Sequence, residues 1–444
     1  MYRGGTLAAL PFPPIMEYFK PQDRFIPAGS YIASINQPKL TSQMKKAILV
    51  LFSGACLVVA PFVSNAQSSA ASVETKAPNS DYKPAFKGQT RIGAVTTKTP
   101  YEGKVLTSSL RNPWGIAPLP DGRLIITEKV GTMRIVSASG NVGEPINGVP
   151  KVNSDGQGGL LGVCIDPDFT KNRMVYWAFS DRLPEGNVTA VAKGKLSSDE
   201  KSLEGVTVIY RATPAYNGAL HYGGRVVASK DGYLFLSTGE RSDLVTRPQA
   251  QDINSGLGKV IRITKDGKPA PGNPFTGKAN ARAEVYSYGH RNVQGLAIHP
   301  VTGDLWESEF GPRGGDEINR IVAGKNYGWP TITYGIEYSG KKIGDSIQQK
   351  PGLEQPVYYW DPVISPSGIT FYDGKTIPEW KNNLFISSLS GMHICRLVIV
   401  NNHVTGEERL LAGENQRFRD VKEGPDGALY AVTDQGRLYR ISKK

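Results

Sequence analysis

The stretch Tyr288–Tyr327, YGHRNVQGLAIHPVTGDLWESEFGPRGGDEINRIVAGKNY, sets the pattern for the whole chain. A small-residue turn leads into a short apolar run (GLAI), a polar turn (HPVTGD) and an alternating run (LWESEF), the signature of two strands joined by a hairpin. Residues that a plain hairpin does not need are laid over it: His290, Arg291, Asn292 and Gln294, the pair Gly311-Pro312, then Asp316 and Glu317. Polar groups and glycines crowded at strand ends mark loops presented to a ligand by a rigid scaffold.

The same beat recurs at Asn112, Gly159, His221, Asn292, Ser365 and Arg417. Asp-Gly turns at Asp121, Asp231 and Asp426 supply good hairpin signals. Six units of one supersecondary pattern predict an all-β chain, a six-bladed β-propeller with four-stranded blades over residues 90–444. Closing the ring requires a strand from the other chain end, and Ile92–Val95 or Lys104–Leu110 can provide it. The 50 glycines and 31 prolines are spread through the chain, which suits many turns, and no long run has a helical period.

Met44-Lys45-Lys46, the apolar AILVLFSGACLVVAPFV and the small-residue run Ser64-Asn65-Ala66 follow the order of a secretory signal peptide over 44–66. Residues 1–43 then read as a spurious upstream extension and 67–89 as a flexible linker. A periplasmic or secreted protein without a membrane span is expected. The net charge of +12 is scattered, with no basic block interleaved with aromatics, so nucleic acid is not an expected partner. Cys164 and Cys395 sit in apolar strands and read as buried free thiols.

The ordered motifs GQGGLLGVCIDPDF, HYGGR, TGER, GHRNVQGL, EFGPRGGDEIN, NYGWP, SPSGITFY and RFRDVKEGPDGALY resemble the soluble PQQ-dependent sugar dehydrogenases. The similarity is to the aldose sugar dehydrogenase branch of the glucose/sorbosone dehydrogenase group. It implies PQQ and calcium at one end of the ring axis, an aldose substrate, a separate electron acceptor not yet identified, and a monomer or dimer. His221 would be the general base, with Glu240 standing where the family often has Asp as the partner of that base. Arg291, Asn292, Gln294 and Gln157 would contact the quinone, and Arg291 would steady the developing oxyanion. Arg417 and Arg419, two apart on a strand, face the same way and would clamp carboxylates. The carbonyls of Gly311 and Pro312 would ligate calcium beside PQQ, and Glu317 with the Tyr327 carbonyl would hold a second calcium. Phe310 and Ser390 depart from the pattern of the glucose-oxidising relatives. Two other readings stay open, a calcium-dependent propeller lactonase or esterase and a non-catalytic carbohydrate-binding propeller.

Overall fold

The computed structural model describes residues 70–444. Their strands form six antiparallel sheets arranged as a six-bladed β-propeller. Five sheets have four strands; the first has three, and a bridge from Val136 to Val142 extends its outer edge. The signal-peptide and upstream-extension expectations, residues 1–66, lie outside the described residues.

In the fourth blade, Val293–Ile298 pairs with Leu305–Glu309, then Asp316–Ile321 and Tyr358–Trp360 follow outward. The connecting turn is stabilised by His299, whose Nδ1 accepts the amides of Val301 and Thr302, each at 3.2 Å. Alternation along the second strand sends Trp306 into a core shared with Ile369 and Phe371 of the fifth blade. Leu305 turns the other way, into a core with Phe235 and Val260 of the third. Both faces of a blade are therefore buried, and burial of each large side chain stabilises the ring by about 1.5–3 kcal/mol.

The innermost strands are Pro113–Pro118, Leu160–Ile165, Val226–Ala228, Val293–Ile298, Pro366–Phe371 and Phe418–Glu423. Glycines let them crowd the axis: a Cβ on Gly295 would come within 2.4 Å of the Ser367 carbonyl, and one on Gly162 within 2.6 Å of Gly224. Five of the six carry a register shift in their pairing, a bulge near the ligand end that re-aims side chains.

Ring closure uses the second of the two candidate segments. Tyr101–Thr107 pairs with the C-terminal strand Leu438–Lys443 and completes the sixth blade. Ala94 instead bridges Glu407 at the edge of the fifth. The flexible linker expected over 67–89 is corrected for its described part, which is bonded to the ring. Asp361 accepts the Asn79 amide and side chain at 2.8 Å each and Ser80 at 3.1 and 3.0 Å. Glu74 pairs with Arg409 at 2.8 Å, and Gln89 is buried. A polar segment with no apolar face is ordered here by partners some 280 residues away.

Cys164 and Cys395 are free thiols, as expected, but only Cys395 is fully buried; Cys164 is partly exposed. Among the described residues no helix is long and apolar enough to cross a membrane.

Candidate active site

One end of the ring axis opens into a cavity of about 440 Å³, within the range of small-ligand sites. His221, Gln157, Gln294, Phe310, Arg417 and Arg419 line it, together with Trp114, Lys129, Tyr338 and Asp434. Five of the expected site residues thus converge from four blades and their loops, with Phe310, a departure from the family pattern, beside them.

His221 sits in the left-handed region (φ 47°) immediately before Tyr222-Gly223-Gly224. This conformation turns its side chain out of the strand path, and its amide is held by Gln157 Oε1 at 2.9 Å. Its Nδ1 lies 2.6 Å from Glu240 Oε1, which also accepts the Ser242 amide at 3.2 Å. Glu240 reaches this place because Gly239 lets two backbones touch: a Cβ there would lie 2.2 Å from the His221 carbonyl. A carboxylate at Nδ1 fixes the tautomer with that nitrogen protonated, leaving Nε2 as an acceptor. Burial, then the charge of Arg291, push the imidazole from 6.5 down to about 4, against the opposing pull of Glu240. The His221 imidazole is therefore neutral at neutral pH.

Arg291 is fixed at both ends. Its amide donates to Glu309 Oε2 at 2.6 Å and its carbonyl accepts the Glu240 amide at 3.0 Å. Its Nη1 donates to the carbonyls of Phe310 (3.1 Å) and Gly311 (2.7 Å), while Nε has no partner. Asn292 Oδ1 accepts the Gly223 amide at 2.9 Å and Gln294 Nε2 at 3.2 Å, and its Nδ2 is unpaired. Glu240 Oε2 is also without a partner. Arg291, Asn292 and Glu240 do not themselves line the main cavity, and Arg291 borders a smaller void beside it; each of these open buried atoms costs free energy until it is bonded.

Arg417 and Arg419 do turn the same way, and Asp434 explains how. Its carboxylate accepts Arg417 Nε at 3.0 Å and Arg419 Nε and Nη2 at 2.8 and 3.1 Å. Burial raises the Asp434 pKa, but the two arginines outweigh it and the group is held below the ordinary carboxylate value. Two cations share one anion, so positive charge remains for a ligand. Lys129 adds another from the first blade, its Nζ on the Ser154 carbonyl at 2.8 Å. Lys129, Asp434 and Trp114 were not expected from the sequence; they stand in ordinary strand-end positions with nothing local to distinguish them. Ser390 is exposed and bonded to Ser365 at 2.8 Å, and Phe310 forms part of the wall.

Gly311, Glu317 and Tyr327 meet Glu309 around a second void of only about 10 Å³, the volume of a single water or ion. Glu317 faces Glu309 across the strand pair, and Asn319 Nδ2 donates to the carboxylates of Glu317 (3.1 Å) and Glu307 (2.7 Å). His290 Nδ1 lies 3.2 Å from Glu309 and 3.9 Å from Glu307, and Arg291 also lines the void, but no Lys or Arg side chain forms an ion pair with Glu307, Glu309 or Glu317 among the described residues. Burial and mutual repulsion push Glu307 and Glu317 well above the ordinary range. Oxygen donors of this kind around a void of ionic size fit a hard cation. The Gly311 carbonyl, expected to ligate calcium, accepts Arg291 in this structure, which leaves its second lone pair.

The chain is similar to proteins of known activity. The chain is 41% identical over 346 residues to the aldose sugar dehydrogenase YliI of Escherichia coli, covering 77% of this chain and 92% of that one. The crystal structure of the soluble aldose sugar dehydrogenase from Escherichia coli in the apo-form superposes with a TM-score of 0.74 at 39% identity, covering 78% of this chain and all of that one. The PQQ-bound aldose sugar dehydrogenase of Streptomyces coelicolor gives 0.63 at 32% identity, covering 78% and 99%. Residues 110–440 match the glucose/sorbosone dehydrogenase family model, and the chain belongs to that family.

Proposed function

We propose that this chain is a PQQ-dependent aldose dehydrogenase, oxidising the anomeric carbon of a sugar to a lactone outside the cytoplasm. The observation that carries the reading is the His221–Glu240 pair opening onto a cavity walled by Arg417, Arg419 and Lys129. A base without an anion clamp would suit a hydrolase, and a clamp without a base would suit a receptor.

Bound PQQ supplies a two-electron acceptor for the hydride from the sugar C1–H bond. His221 Nε2 takes the proton of the C1 hydroxyl as C1–O becomes a double bond, and Glu240 steadies the imidazolium that results. Arg291, pinned by Glu309, Phe310 and Gly311, offers its unpaired Nε toward developing negative charge. Arg417, Arg419 and Lys129 hold ligand carboxylates, while Asn292, Gln294 and Gln157 orient the ring edge. Calcium is assigned to Gly311 and Pro312, and a second ion to Glu317 and the Tyr327 carbonyl, with Glu309 beside it. The leader over 44–66 would direct export.

Titration of purified apoprotein with PQQ plus calcium, followed by dye reduction with a panel of aldoses, tests this. Saturable PQQ binding and sugar-dependent dye reduction are expected. Sugar binding without PQQ binding would leave the receptor reading, and ester or lactone hydrolysis without dye reduction the hydrolase reading.

A further inference from the structure

A second cavity, of about 370 Å³, lies against the main one, and the reaction at His221 makes no use of it. The two share a wall. Asp155 lines the second cavity while Gly156 and Gln157, next in the chain, line the main one; Ala219 lines the second and His221 the main one. Here the backbones touch. The Gln157 amide donates to the Ala219 carbonyl at 2.7 Å, and a Cβ on Gly156 (φ 54°) would lie 2.4 Å from that oxygen. At this point the ridge between the cavities is two chain segments in contact.

The far wall is a projecting hairpin. Met174–Leu183 and Gly186–Leu196, of 10 and 11 residues, are the longest strands among the described residues. Phe179 pairs with Leu160 at the start of the innermost strand, so residues 180–183 run beyond it at the end where His221 lies. The floor is fixed by Asn187, which is buried. The Gly218 carbonyl accepts Asn187 Nδ2 at 3.1 Å, Tyr222 Oη at 3.1 Å and Arg241 Nη2 at 2.6 Å.

The lining selects a ligand class. Its charged groups are Asp155, Arg182 and Glu185, and Arg182 Nη2 is already bonded to Asp155 and to Asn153 Oδ1, each at 3.2 Å. One cation against two acids gives an anionic ligand no welcome. Leu183, Pro184 and Ala219 are the only apolar side chains in the wall, too few for a flat or fatty ligand. What stays open is the Asn217 amide, Asn153 Nδ2 and the second oxygen of Asp155, a mixture of donors and acceptors. A hydroxyl both donates and accepts, so a neutral polyhydroxyl compound suits this set.

We propose that the second cavity is a carbohydrate subsite, receiving the sugar unit glycosidically linked to the one whose C1 lies at His221. The inference rests on the PQQ dehydrogenase reading, which puts the reducing unit at His221. The glycosidic link crosses the ridge at Gly156 and Ala219, and hydroxyls of the outer unit meet Asn153, Asp155 and Asn217. Contacts to a part of the substrate remote from C1 then help to hold C1 in place for reaction.

The test compares glucose with maltotriose and cellotriose, whose outer units leave the reducing glucose in α and β linkage. With PQQ-loaded wild type, kcat/KM for at least one trisaccharide should exceed that for glucose about tenfold. Asp155→Ala/Asn217→Ala should remove that advantage, the scale of one or two lost hydrogen bonds, and leave glucose oxidation unchanged. Asn217→Trp, at an exposed position, should do the same by filling the cavity. Saturation-transfer NMR on the apoprotein should show contact to the outer units of that trisaccharide, lost in both variants. A wild type with no preference for either trisaccharide, variants that lose glucose and trisaccharide activity equally, or outer units that receive no saturation would overturn the subsite. Absence of dye reduction with every sugar would remove the dehydrogenase reading instead, a failure that the apoprotein NMR keeps distinct from failure of the subsite.

Discussion

His221 Nδ1 and Glu240 Oε1 lie 2.6 Å apart, both buried, joined across a backbone contact that only glycine at position 239 permits. His221 lines the cavity and is the base in the proposed function. His221→Ala should lower turnover by roughly 10²–10⁴-fold, the usual scale for a positioned base. PQQ affinity, measured by fluorescence titration, should change little. Glu240→Gln should cost less, since the amide still holds the ring but no longer stabilises its cation. A His221→Ala enzyme that reduces bound PQQ at the wild-type rate in a single turnover would place the base elsewhere.

The depressed pKa of His221 has a definite sign. The folded value, about 4, lies below the ordinary 6.5, so the unfolded chain binds more protons between these limits. The neutral imidazole therefore contributes no penalty above pH 6.5 and destabilises the fold as pH falls toward 4, by on the order of 3 kcal/mol at most. Histidine-selective NMR of the apoprotein should show a midpoint near 4, and a midpoint at or above 6.5 would contradict the burial argument. Bound PQQ, being anionic beside Arg291, should move the midpoint upward.

Arg419 should matter more to cofactor binding than Arg417, because its side chain is better buried (16% against 45% exposed) and makes two of the three bonds to Asp434. Arg419→Ala should weaken PQQ binding by about 1.5–3 kcal/mol, the range for charged hydrogen bonds. Arg417→Ala should lose about half as much. Isothermal titration calorimetry with PQQ checks the order, and equal losses would show that exposure does not set it.

Chelation should lower thermal stability through the Glu309–Glu317 void. Calcium at about 100 times its dissociation constant would stabilise the fold by about 2.7 kcal/mol, visible by calorimetry as a rise in Tm. Glu317→Gln should abolish most of that rise. A Tm indifferent to calcium and to EGTA would mean that these carboxylates are held by protons instead.

Asp361→Ala should release the segment around Asn79 and Ser80, with a loss of about 1–3 kcal/mol from the donors left unpaired. Limited proteolysis should then cut within residues 70–89 before the ring is attacked. A variant as resistant as wild type would show that Gln89 and Glu74 suffice to hold the segment.

Repetition made the propeller legible from the sequence. Six hairpin units with apolar runs and Asp-Gly turns are local signals, because strand period and turn chemistry are properties of neighbouring residues. His221, Gln157, Gln294, Arg417 and Arg419 were legible through motif resemblance, and the fold brings them to one cavity. Only the tertiary structure decided the rest. That Asp434 orients both clamp arginines and that Arg291 holds the Gly311 carbonyl follow from pairings 15–20 residues apart within one blade, and that Lys129 joins the clamp follows from the closed ring setting the first blade beside the sixth. The same holds for the segment before Ile92, whose composition reads as linker until Asp361 supplies its partners. Hydrogen-bond geometry and burial depend on which groups the closed ring brings face to face, and no local pattern in the chain encodes that.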